Sequence, residues 1–428
     1  MIRVPIADLP AHVGEDVSIA GWVHALRLQR AMQFVVVRDH TGMVQLTWRR
    51  DGGPVEKALE GLTVESAVRV TGRVAANDMV KAGGIEIFPA DVTVEAQAET
   101  PLPLDDHTGA EGRLDWRFLD VRRHQERSLV FAVQTTVERA MREFAYREGC
   151  TEMHTPKLMG SASESGAEVF RLGYFEGSAF LAQSPQFYKQ MAIAAGIDRV
   201  FEVGPVFRAE QSFTSRHATE FTGVDVELAW IEDVEDVMAF EERMLAHVVG
   251  EVAAVHGQVI RDTLGVEVTV PTVPFPRLTM AEAQRIAGAG VRGDLDPAGE
   301  RAVSAAVAER TGHEFTFITG YPSSVRPFYH MRPAGRPELT CSFDLLWKGL
   351  EITTGAQREH RYDVLMAQAA EKGMDTAPMR HYLDCFRFGC PPHGGLGLGL
   401  GRLLMALLGL ESIRDATFLF RGPNRLAP

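Results

Sequence analysis

The stretch VFRAEQSFTSRHATEFTGVDVELAW, residues 206–230, is the part of the sequence that decides the fold. Two runs of strand-forming residues enclose a polar segment, which predicts an antiparallel hairpin whose side chains two apart share one face. The charged residues expected on it are Arg208, Glu210, Arg216, His217, Asp225 and Glu227. Buried charge must be paired or must bind a ligand. The pattern therefore fits either a solvated face of ion pairs, or a polyphosphate site in which arginines bind phosphate and acids bind amines or metal.

A second predicted hairpin lies downstream, in SFDLLWKGLEITTGAQREH, residues 342–360. If its turn is at 348–349, Asp344 lies diagonally from Glu351 on the same face of the hairpin. Two carboxylates so placed could share a Mg²⁺ ion with phosphate oxygens, although a surface pair of acids explains the pattern as well. Arg358 follows this hairpin and could reach an anionic ligand.

The segment SPQFYKQMA, residues 184–192, predicts a helix with Ser184 as its N-cap. Gln186 and Lys189 are three apart on one face near the helix N-terminus. An amide, an ammonium and a helix N-terminus together suit a carboxylate. An amphipathic surface helix is the plainer interpretation.

The segment GGLGLGLGR, residues 394–402, alternates glycine with leucine and runs into a predicted helix. The spacing is not the G-x-G-x-x-G of a dinucleotide site. Alternate glycines predict a flat strand that a planar ring or another backbone can approach closely. Arg402 then lies at the edge of this platform.

The composition excludes several classes of protein. The chain has 428 residues and a net charge of −13, so bulk positive charge does not drive binding to nucleic acid. No apolar run approaches the roughly 20 residues of a membrane span, and the N-terminal segment does not resemble a signal peptide. The four cysteines show no C-x-x-C pair, which favours reduced thiols in the cytoplasm.

The order of elements predicts an α+β protein with two folded parts. Residues 1–100 read as short strands of a small β-barrel of the oligonucleotide/oligosaccharide-binding (OB) type, and residues 101–125 as a linker. Residues 126–428 predict a mostly antiparallel sheet flanked by helices, with a helical insertion at about 275–312. Strand-like runs in this part lie at 152–158, 169–175, 179–182, 315–319, 327–331 and 340–354.

These motifs, in this order, resemble those of the class II aminoacyl-tRNA synthetases, and specifically the archaeal-type aspartyl enzymes. The resemblance spans essentially the whole chain. The segments that carry it are GWVHALRLQRAMQFVVVRDHTGMVQ (an anticodon-binding OB barrel), RLDWRFLDVRR (a hinge), TEMHTPKL (motif 1), residues 206–230 (motif 2), GLGLGLGRLLMALLGLESIRDA (motif 3), SPQFYKQ, FDLLWKGLEITTGAQREHRYD and RGPNRLAP.

The resemblance implies a role for each candidate residue. ATP would be bound by Arg208, Glu210, Arg216, His217, Phe221, Glu351 and Arg402, with Arg208 as the catalytic charge. Aspartate would be bound by Glu164, Gln186, Lys189, Arg208, Asp225 and Arg358. Mg²⁺ would be held by Asp344 and Glu351. The anticodon would be read by His24, Arg27, Phe34 and Gln45.

Phe34 has two interpretations. The strand pattern alone favours Phe34 as barrel core, whereas the resemblance implies that its ring stacks on an anticodon base. Single-stranded bases are commonly read by such stacking.

The implied activity is activation of L-aspartate with ATP, followed by transfer to tRNA(Asp). Family members that are strict for the third anticodon base resemble one another in having Trp at the position of His24. Histidine here resembles the non-discriminating members, so the resemblance implies that tRNA(Asn) is charged as well. That product would need an amidotransferase to finish it. Motif 1 implies a homodimer.

The sequence departs from the usual family pattern at two positions, and two other functions compete with the aspartyl assignment. Gly401 stands where the family usually has Glu, and Ser165 follows Glu164 where the family usually has Gly. An asparaginyl-tRNA synthetase is the nearest rival, although Lys189 favours an acidic substrate. A catalytically silent paralogue that binds aminoacyl-adenylate is the other.

Overall fold

The computed structural model of the chain describes residues 2–81, 83–161, 168–212, 214–288 and 293–428. The chain divides into two compact units, Met1–Gln125 and Glu126–Pro428. The expectations for Glu164 and Ser165 fall outside the described residues. No helix in the described ranges is long and apolar enough to span a membrane.

The first unit contains a closed five-stranded barrel in the order β1-β2-β3-β5-β4, which confirms the predicted OB-type barrel. Its strands are β1 (Asp16–Leu28), β2 (Met32–Arg38), β3 (Met43–Arg49), β4 (Ala67–Ala76) and β5 (Ile85–Ala96). Val35 and Val37 point into a core of aliphatic side chains. The alternate residues, Phe34 and Val36, are only partly buried and lie outside that core. The strand-pattern interpretation of Phe34 as barrel core is therefore wrong.

Three short helices complete this unit. They are α1 (Pro54–Ala58), α2 (Ala110–Asp115) and α3 (Arg117–Arg123). The first lies between β3 and β4. The other two lie in the segment that the sequence predicts as a linker.

The second unit is built on an eight-stranded sheet in the order β12-β13-β14-β15-β16-β11-β10-β6. The pairs β12–β13 and β10–β6 are parallel and the others are antiparallel, as expected for a mostly antiparallel sheet. A separate three-stranded sheet has the order β7-β9-β8. The strands are β6 (Thr151–Glu152), β7 (Leu158–Met159), β8 (Arg171–Tyr174), β9 (Gly177–Leu181), β10 (Arg199–Phe207), β11 (Glu220–Ala229), β12 (Arg277–Thr279), β13 (Phe315–Thr319), β14 (Ser342–Trp347), β15 (Leu350–Gln357) and β16 (His393–Gly399).

Helices flank the large sheet. They are α4 (Gln125–Arg147), α5 (Gln186–Ala194), α6 (Val234–Leu264), α7 (Met280–Ala287), α8 (Pro297–Thr311), α9 (Tyr362–Glu371), α10 (Arg380–Arg387) and α11 (Leu400–Leu408). Helix α5 begins at Gln186 with Pro185 as its N-cap, so the predicted N-cap at Ser184 is one residue too early. The Ser184 hydroxyl accepts a hydrogen bond from the backbone N–H of Gln186 at 3.3 Å. The predicted insertion corresponds to α7 and α8.

Two predicted strands differ from the named strands of the described chain: the run at 152–158 contains only the last residue of β6 and the first residue of β7, and the run at 327–331 is absent. The backbone N–H of His330 instead bonds the carbonyl of Pro327, which closes a turn. A single bridge between His330 and Arg358 is the β-type pairing here. Pro327 lacks the N–H that a paired strand would need.

Candidate active site

A cavity of about 280 Å³ lies above the centre of the large sheet. Strands β10, β11, β15 and β16 contribute to its wall, as do the segments that follow β10 and precede β14. It collects ten of the predicted site residues, which come from distant parts of the sequence. They are Gln186, Arg208, Glu210, Arg216, His217, Phe221, Asp225, Glu351, Arg358 and Arg402.

The hairpin of β10 and β11 positions the first group of these residues. Strand β10 ends at Phe207. Arg208 and Glu210 therefore lie just beyond the strand, whereas the sequence predicted that they lie on it. Their side chains are nevertheless 3.7 Å apart, from Nη1 to Oε1. The guanidinium of Arg208 lies 5.7 Å from the centre of the Phe221 ring. A cation and an aromatic face are thus presented side by side.

The loop between β10 and β11 brings Arg216 and His217 to the cavity. Arg216 lines the cavity and donates to Glu300, with 2.6 Å between Nη1 and Oε2. His217 lies 3.6 Å from Glu210, measured from Nε2 to Oε2. Burial and the charge of Arg402 lower the pKa of His217, so its imidazole is neutral at neutral pH.

Lys189 lies one layer behind the cavity wall. Its ammonium is buried and donates to Asp225 Oδ1 at 2.9 Å and to the carbonyl of Leu396 at 2.8 Å. Glu227 Oε2 is 3.3 Å away. Lys189 does not line the cavity, which corrects the expectation that it rims the site directly. It acts on the cavity through Asp225.

Arg358 is buried but does line the cavity. It donates to both oxygens of Glu227, at 2.9 and 3.4 Å, and to the carbonyl of Gly395 at 3.0 Å. Its Nη1 faces Nε2 of His330 at 3.1 Å. Because arginine can only donate, His330 accepts this bond and is neutral. Burial, together with the charge of Arg358, lowers the pKa of His330 well below its usual value.

The alternating glycines of β16 make room for two carboxylates. A Cβ atom at Gly395 would lie 2.2 Å from Oε2 of Glu227, and one at Gly397 would lie 3.3 Å from Oδ1 of Asp225. The flat strand predicted from the sequence is therefore covered by Glu227 at Gly395. Gly397 and Gly399 do line the cavity.

The second hairpin has the predicted turn. Lys348 and Gly349 both adopt positive φ angles, of 52° and 80°, as a type I′ turn requires. Glu351 pairs with Leu346, and a bulge separates this pair from the Leu345 pair.

The two acids of this hairpin differ in their surroundings. Asp344 is buried behind the wall, which corrects the expectation that it rims the cavity. Its Oδ2 accepts from Arg326 at 2.6 Å, and its Oδ1 has no partner among the described residues. Glu351 lines the cavity, and burial and the charge of Asp344 raise its pKa to about 7. A cation at this point would relieve both the unmatched oxygen and the repulsion.

Arg402 links the two hairpins at the edge of the cavity. Its Nη1 donates to the carbonyl of Glu351 at 3.1 Å and lies 3.3 Å from the Glu351 carboxylate. Its Nε donates to the carbonyl of Arg216 at 3.3 Å. Arg402 therefore fixes the loop that carries Arg216 relative to the hairpin that carries Glu351.

Sequence reasoning missed several residues of the site, among them Arg326, Tyr329 and His330. All three line the cavity. Tyr329 and His330 lie in the run at 327–331 that the sequence predicted as a strand, and Arg326 directly precedes it. An arginine between a strand and a proline, shortly before the acidic hairpin, was the available signal.

The barrel carries a second candidate site on its outer face. Arg27 pairs with Phe34 across β1 and β2, and Val36 pairs with Gln45 across β2 and β3. Side chains that share a sheet face alternate along each strand, so Arg27, Phe34 and Gln45 lie on one face. The structure thus groups three of the four predicted anticodon residues.

His24 is presented by a β-bulge, since the register of β1 against β2 shifts between Val23 and Ala25. Bulges re-aim side chains, and His24 is exposed. Its Nδ1 lies 3.0 Å from Nη1 of Arg38, which also donates from Nη2 to both oxygens of Glu65. Since Arg38 can only donate, Nδ1 of His24 accepts and Nε2 carries the proton. Partial burial of the ring, and after it the charge of Arg38, lowers the pKa of His24. The ring is a neutral donor at its outer nitrogen.

Comparison with known families decides the identity. The family described as tRNA synthetases class II (D, K and N) matches residues 109–421, and an OB-fold nucleic acid binding domain matches residues 17–95. The chain belongs to the class II tRNA synthetases. The synthetase is 44% identical to an aspartate–tRNA(Asp/Asn) ligase of Methanopyrus kandleri, over 98% of this chain and 97% of that one. It is 42% identical to an aspartate–tRNA(Asp) ligase of Pyrococcus abyssi, over 97% of each chain.

Solved structures of two related enzymes resemble the synthetase over its full length. Asparaginyl-tRNA synthetase from Pyrococcus horikoshii, complexed with asparaginyl-adenylate, has a TM-score of 0.90 and is 32% identical, covering 100% of both chains. A putative aspartyl-tRNA synthetase from Leishmania major has a TM-score of 0.86 and is 30% identical, covering 100% of this chain and 95% of the other.

The departure at Gly401 has a structural counterpart in the synthetase. A Cβ atom at Gly401 would lie 2.9 Å from Cγ1 of Ile413. Ile413, which also lines the cavity, therefore fills the space that a side chain at Gly401 would need. The two residues fit one another.

Proposed function

We propose that the synthetase activates L-aspartate with ATP and transfers it to the 3′ end of tRNA(Asp) and of tRNA(Asn). The observation that carries the choice of amino acid is the buried group of two cations and two carboxylates beside the cavity: Lys189, Arg358, Asp225 and Glu227. Without substrate the four charges balance.

The charge count of this group favours aspartate over asparagine. When the substrate's α-ammonium binds at Asp225 and Gln186, Lys189 and Arg358 retain only Glu227 as a counter-charge. One positive charge is then unmatched. The side-chain carboxylate of aspartate matches it, whereas the neutral amide of asparagine does not, and an unmatched buried charge is costly. Four of the five N–H groups of Arg358 are used by described residues, so one is left for this carboxylate.

The remaining side chains of the cavity suit ATP. Arg208 would hold the α-phosphate together with the aspartate carboxylate, and Arg216 and His217 would hold the terminal phosphates. The adenine ring would stack on Phe221, beneath Arg402, with its amine on Glu210. What supports this assignment is the presence of all these side chains on one cavity.

Asp344 and Glu351 fit a magnesium ion. Asp344 offers a buried oxygen without a partner among the described residues, and Glu351 is a carboxyl whose ionisation is opposed by its neighbour. Among the described residues there is no cluster of three or more metal-binding side chains. Mg²⁺ commonly takes one or two carboxylates and completes its shell with phosphates and water. Bound there, the ion would neutralise charge on the phosphates of ATP.

The chemistry needs no protein nucleophile. The α-carboxylate of aspartate attacks the α-phosphorus in line, the bond to the bridging oxygen breaks, and pyrophosphate leaves. A hydroxyl of the terminal ribose of the tRNA then attacks the carbonyl carbon, and AMP leaves. Arg208 offsets charge at the α-phosphate in the first step. Positioning and charge stabilisation supply the catalysis.

The barrel, residues 1–100, is proposed to bind the anticodon, with residues 101–125 as a hinge to the catalytic part, residues 126–428. Phe34 would stack on a base, and Arg27 and Gln45 would reach base edges. The outer N–H of His24 suits an acceptor that cytosine and uracil share. Aspartate and asparagine anticodons differ at the third base in just this pair, so a lone donor there is compatible with both tRNAs.

Other features of the proposal follow from the resemblance. Motif 1, which includes the two-residue edge strand β6, is proposed to lie at the interface of a homodimer. We expect the enzyme in the cytoplasm. Aspartyl-tRNA(Asn), if formed, would need an amidotransferase to become asparaginyl-tRNA(Asn).

Asparagine activation is the second candidate, and the likeness to the P. horikoshii asparaginyl enzyme favours it. ATP–pyrophosphate exchange with each amino acid separates the two. We expect exchange with aspartate and at least about 100-fold less with asparagine, which corresponds to about 2.7 kcal/mol of discrimination. Exchange with asparagine alone would establish the second candidate, and exchange with neither would leave a silent paralogue.

A further inference from the structure

The insertion of α7 and α8 has no role in the function proposed so far, yet one of its acids contacts a residue that lines the nucleotide cavity. Glu300 lies in the first turn of α8 and is 4% exposed. It accepts from Nη1 of Arg216 at 2.6 Å. Arg216 lines the cavity and Glu300 does not. The carboxylate therefore lies behind the guanidinium, and the other side-chain donors of Arg216 have no acceptor among the described residues.

Helix α8 is a firm base for this contact. Val303 and Val307 are fully buried in a cluster with Leu346 of β14. At the turn of the β14–β15 hairpin, a Cβ atom at Gly349 would lie 2.9 Å from the Cα of Arg301. The helix and the hairpin that carries Glu351 are thus in close contact. Glu300 contacts both the backbone of Glu351 in that hairpin and the guanidinium of Arg216.

Burial raises the pKa of Glu300 above its ordinary value, although Arg216, Arg402 and the backbone N–H of Glu351 act in the opposite direction. The helix N-terminus also favours negative charge. A buried acid is costly unless paired, and its partner here is a residue proposed to bind phosphate.

We propose that Glu300 is a positioning residue for the nucleotide: by holding Arg216, it sets the guanidinium at the terminal phosphates of ATP and makes α8 part of the ATP site. This inference rests on the proposed function. Because Arg216 would contact the terminal phosphates, which ATP has and AMP lacks, loss of Glu300 should weaken the binding of ATP and not that of AMP. A contact that merely stabilised the fold would affect both nucleotides equally.

The test compares Glu300→Gln with Arg216→Gln, the double variant and a matched control. Glu309→Gln is the control, because Glu309 is an exposed acid on the same helix. We expect Glu300→Gln and Arg216→Gln each to raise the KM for ATP in pyrophosphate exchange about tenfold, as for loss of a charged hydrogen bond. The KM for aspartate and the calorimetric Kd of AMP should change less than twofold. The double variant should be no worse than Arg216→Gln alone, and Glu309→Gln should match the parent.

An unchanged KM for ATP in Glu300→Gln overturns the inference, as do equal losses for ATP and AMP, or losses that add in the double variant. If Glu300→Gln does not fold, Glu300→Asp carries the same test, because it keeps the charge and shortens the reach by one methylene. If the parent shows no aspartate-dependent exchange, the proposed function fails. The calorimetric comparison of ATP with AMP then still decides the role of Glu300.

Discussion

At the scale of single residues, four cations at or beside the cavity are each held by a buried acid. Lys189 is paired with Asp225, Arg358 with Glu227, Arg326 with Asp344 and Arg216 with Glu300. In three of these pairs the arginine lines the cavity, whereas in the first the acid does. The acids fix the direction of the guanidinium groups, and a ligand then meets donors that are already in place.

Residue types and spacing predicted which side chains gather at the site, but not whether each one lines the cavity or lies behind its wall. Lys189 and Asp344 were expected at the rim and lie behind it. Depth depends on contacts such as that between Lys189 and the carbonyl of Leu396, which are 207 residues apart in sequence. Such a contact leaves no trace in local pattern. Arg326 was missed for the same reason, since its partner Asp344 lies 18 residues further along the chain, on β14.

The first prediction concerns the lysine behind the wall. Lys189→Met should lower kcat/KM for aspartate in pyrophosphate exchange by about 100-fold or more, because it removes the buried charge that the substrate carboxylate helps to match. Calorimetric binding of ATP should stay within a few-fold of the parent. Aspartate activation at the parental rate in Lys189→Met would remove Lys189 from the account.

At the scale of elements, the β14–β15 hairpin is the part that the sequence predicted best, and it carries Glu351 to the cavity. The Lys-Gly turn and the opposed Leu346 and Glu351 are as expected, because turn chemistry and alternation are local. The segment at 327–331 shows the limit of the same reasoning. Its aromatic residues suggested a strand, but Pro327 prevents one.

The second prediction tests the contact between this hairpin and α8. Gly349→Ala combines a positive φ of 80° with a Cβ atom 2.8 Å from Cγ of Arg301, so it should lower the free energy of unfolding by about 2–4 kcal/mol. Gly373→Ala is the matched control, because Gly373 has φ of +66° and open space around its Cβ position, and should cost about 1 kcal/mol. Chemical denaturation measures both. Equal losses in the two variants would mean that the hairpin does not bear on α8.

The third prediction concerns Glu241, on the buried side of α6. Neither of its carboxyl oxygens has a partner among the described residues, although the Thr353 hydroxyl lies nearby. Burial raises its pKa to about 8, and the charges of Glu242 and Asp344 act in the same direction. The folded state therefore keeps a proton that the unfolded state releases above its ordinary pKa of roughly 4.3. Stability should fall as pH rises between these two values, by up to about 1.4 kcal/mol per unit.

Glu241→Gln should remove this slope. Measured by denaturation between pH 5.5 and 7.5, its unfolding free energy should fall less steeply with pH than that of the parent, and it should be the more stable protein at pH 8. Glu232→Gln, an exposed position just before the same helix, should keep the parental slope. A Glu241→Gln variant with the parental slope would show that Glu241 is ionised in the folded protein.

At the scale of the whole molecule, the sequence order of motifs was enough to predict both folded parts. The closed barrel and the mostly antiparallel sheet agree with the expectation, because strand alternation and turn residues are repeated many times along each. What the sequence could not supply was the network that ties the insertion to the nucleotide cavity. The contact of Glu300 with Arg216 joins residues 84 positions apart, and neither residue type by itself predicts the other.

The central proposal is that the enzyme activates one amino acid, aspartate, and attaches it to two tRNAs. A single charging experiment tests this proposal most directly. Purified tRNA(Asp) and tRNA(Asn) transcripts are incubated side by side with the synthetase, ATP and either labelled aspartate or labelled asparagine. The account predicts that aspartate is esterified to both transcripts and asparagine to neither. Attachment of asparagine to tRNA(Asn), with no aspartate on either transcript, would contradict it.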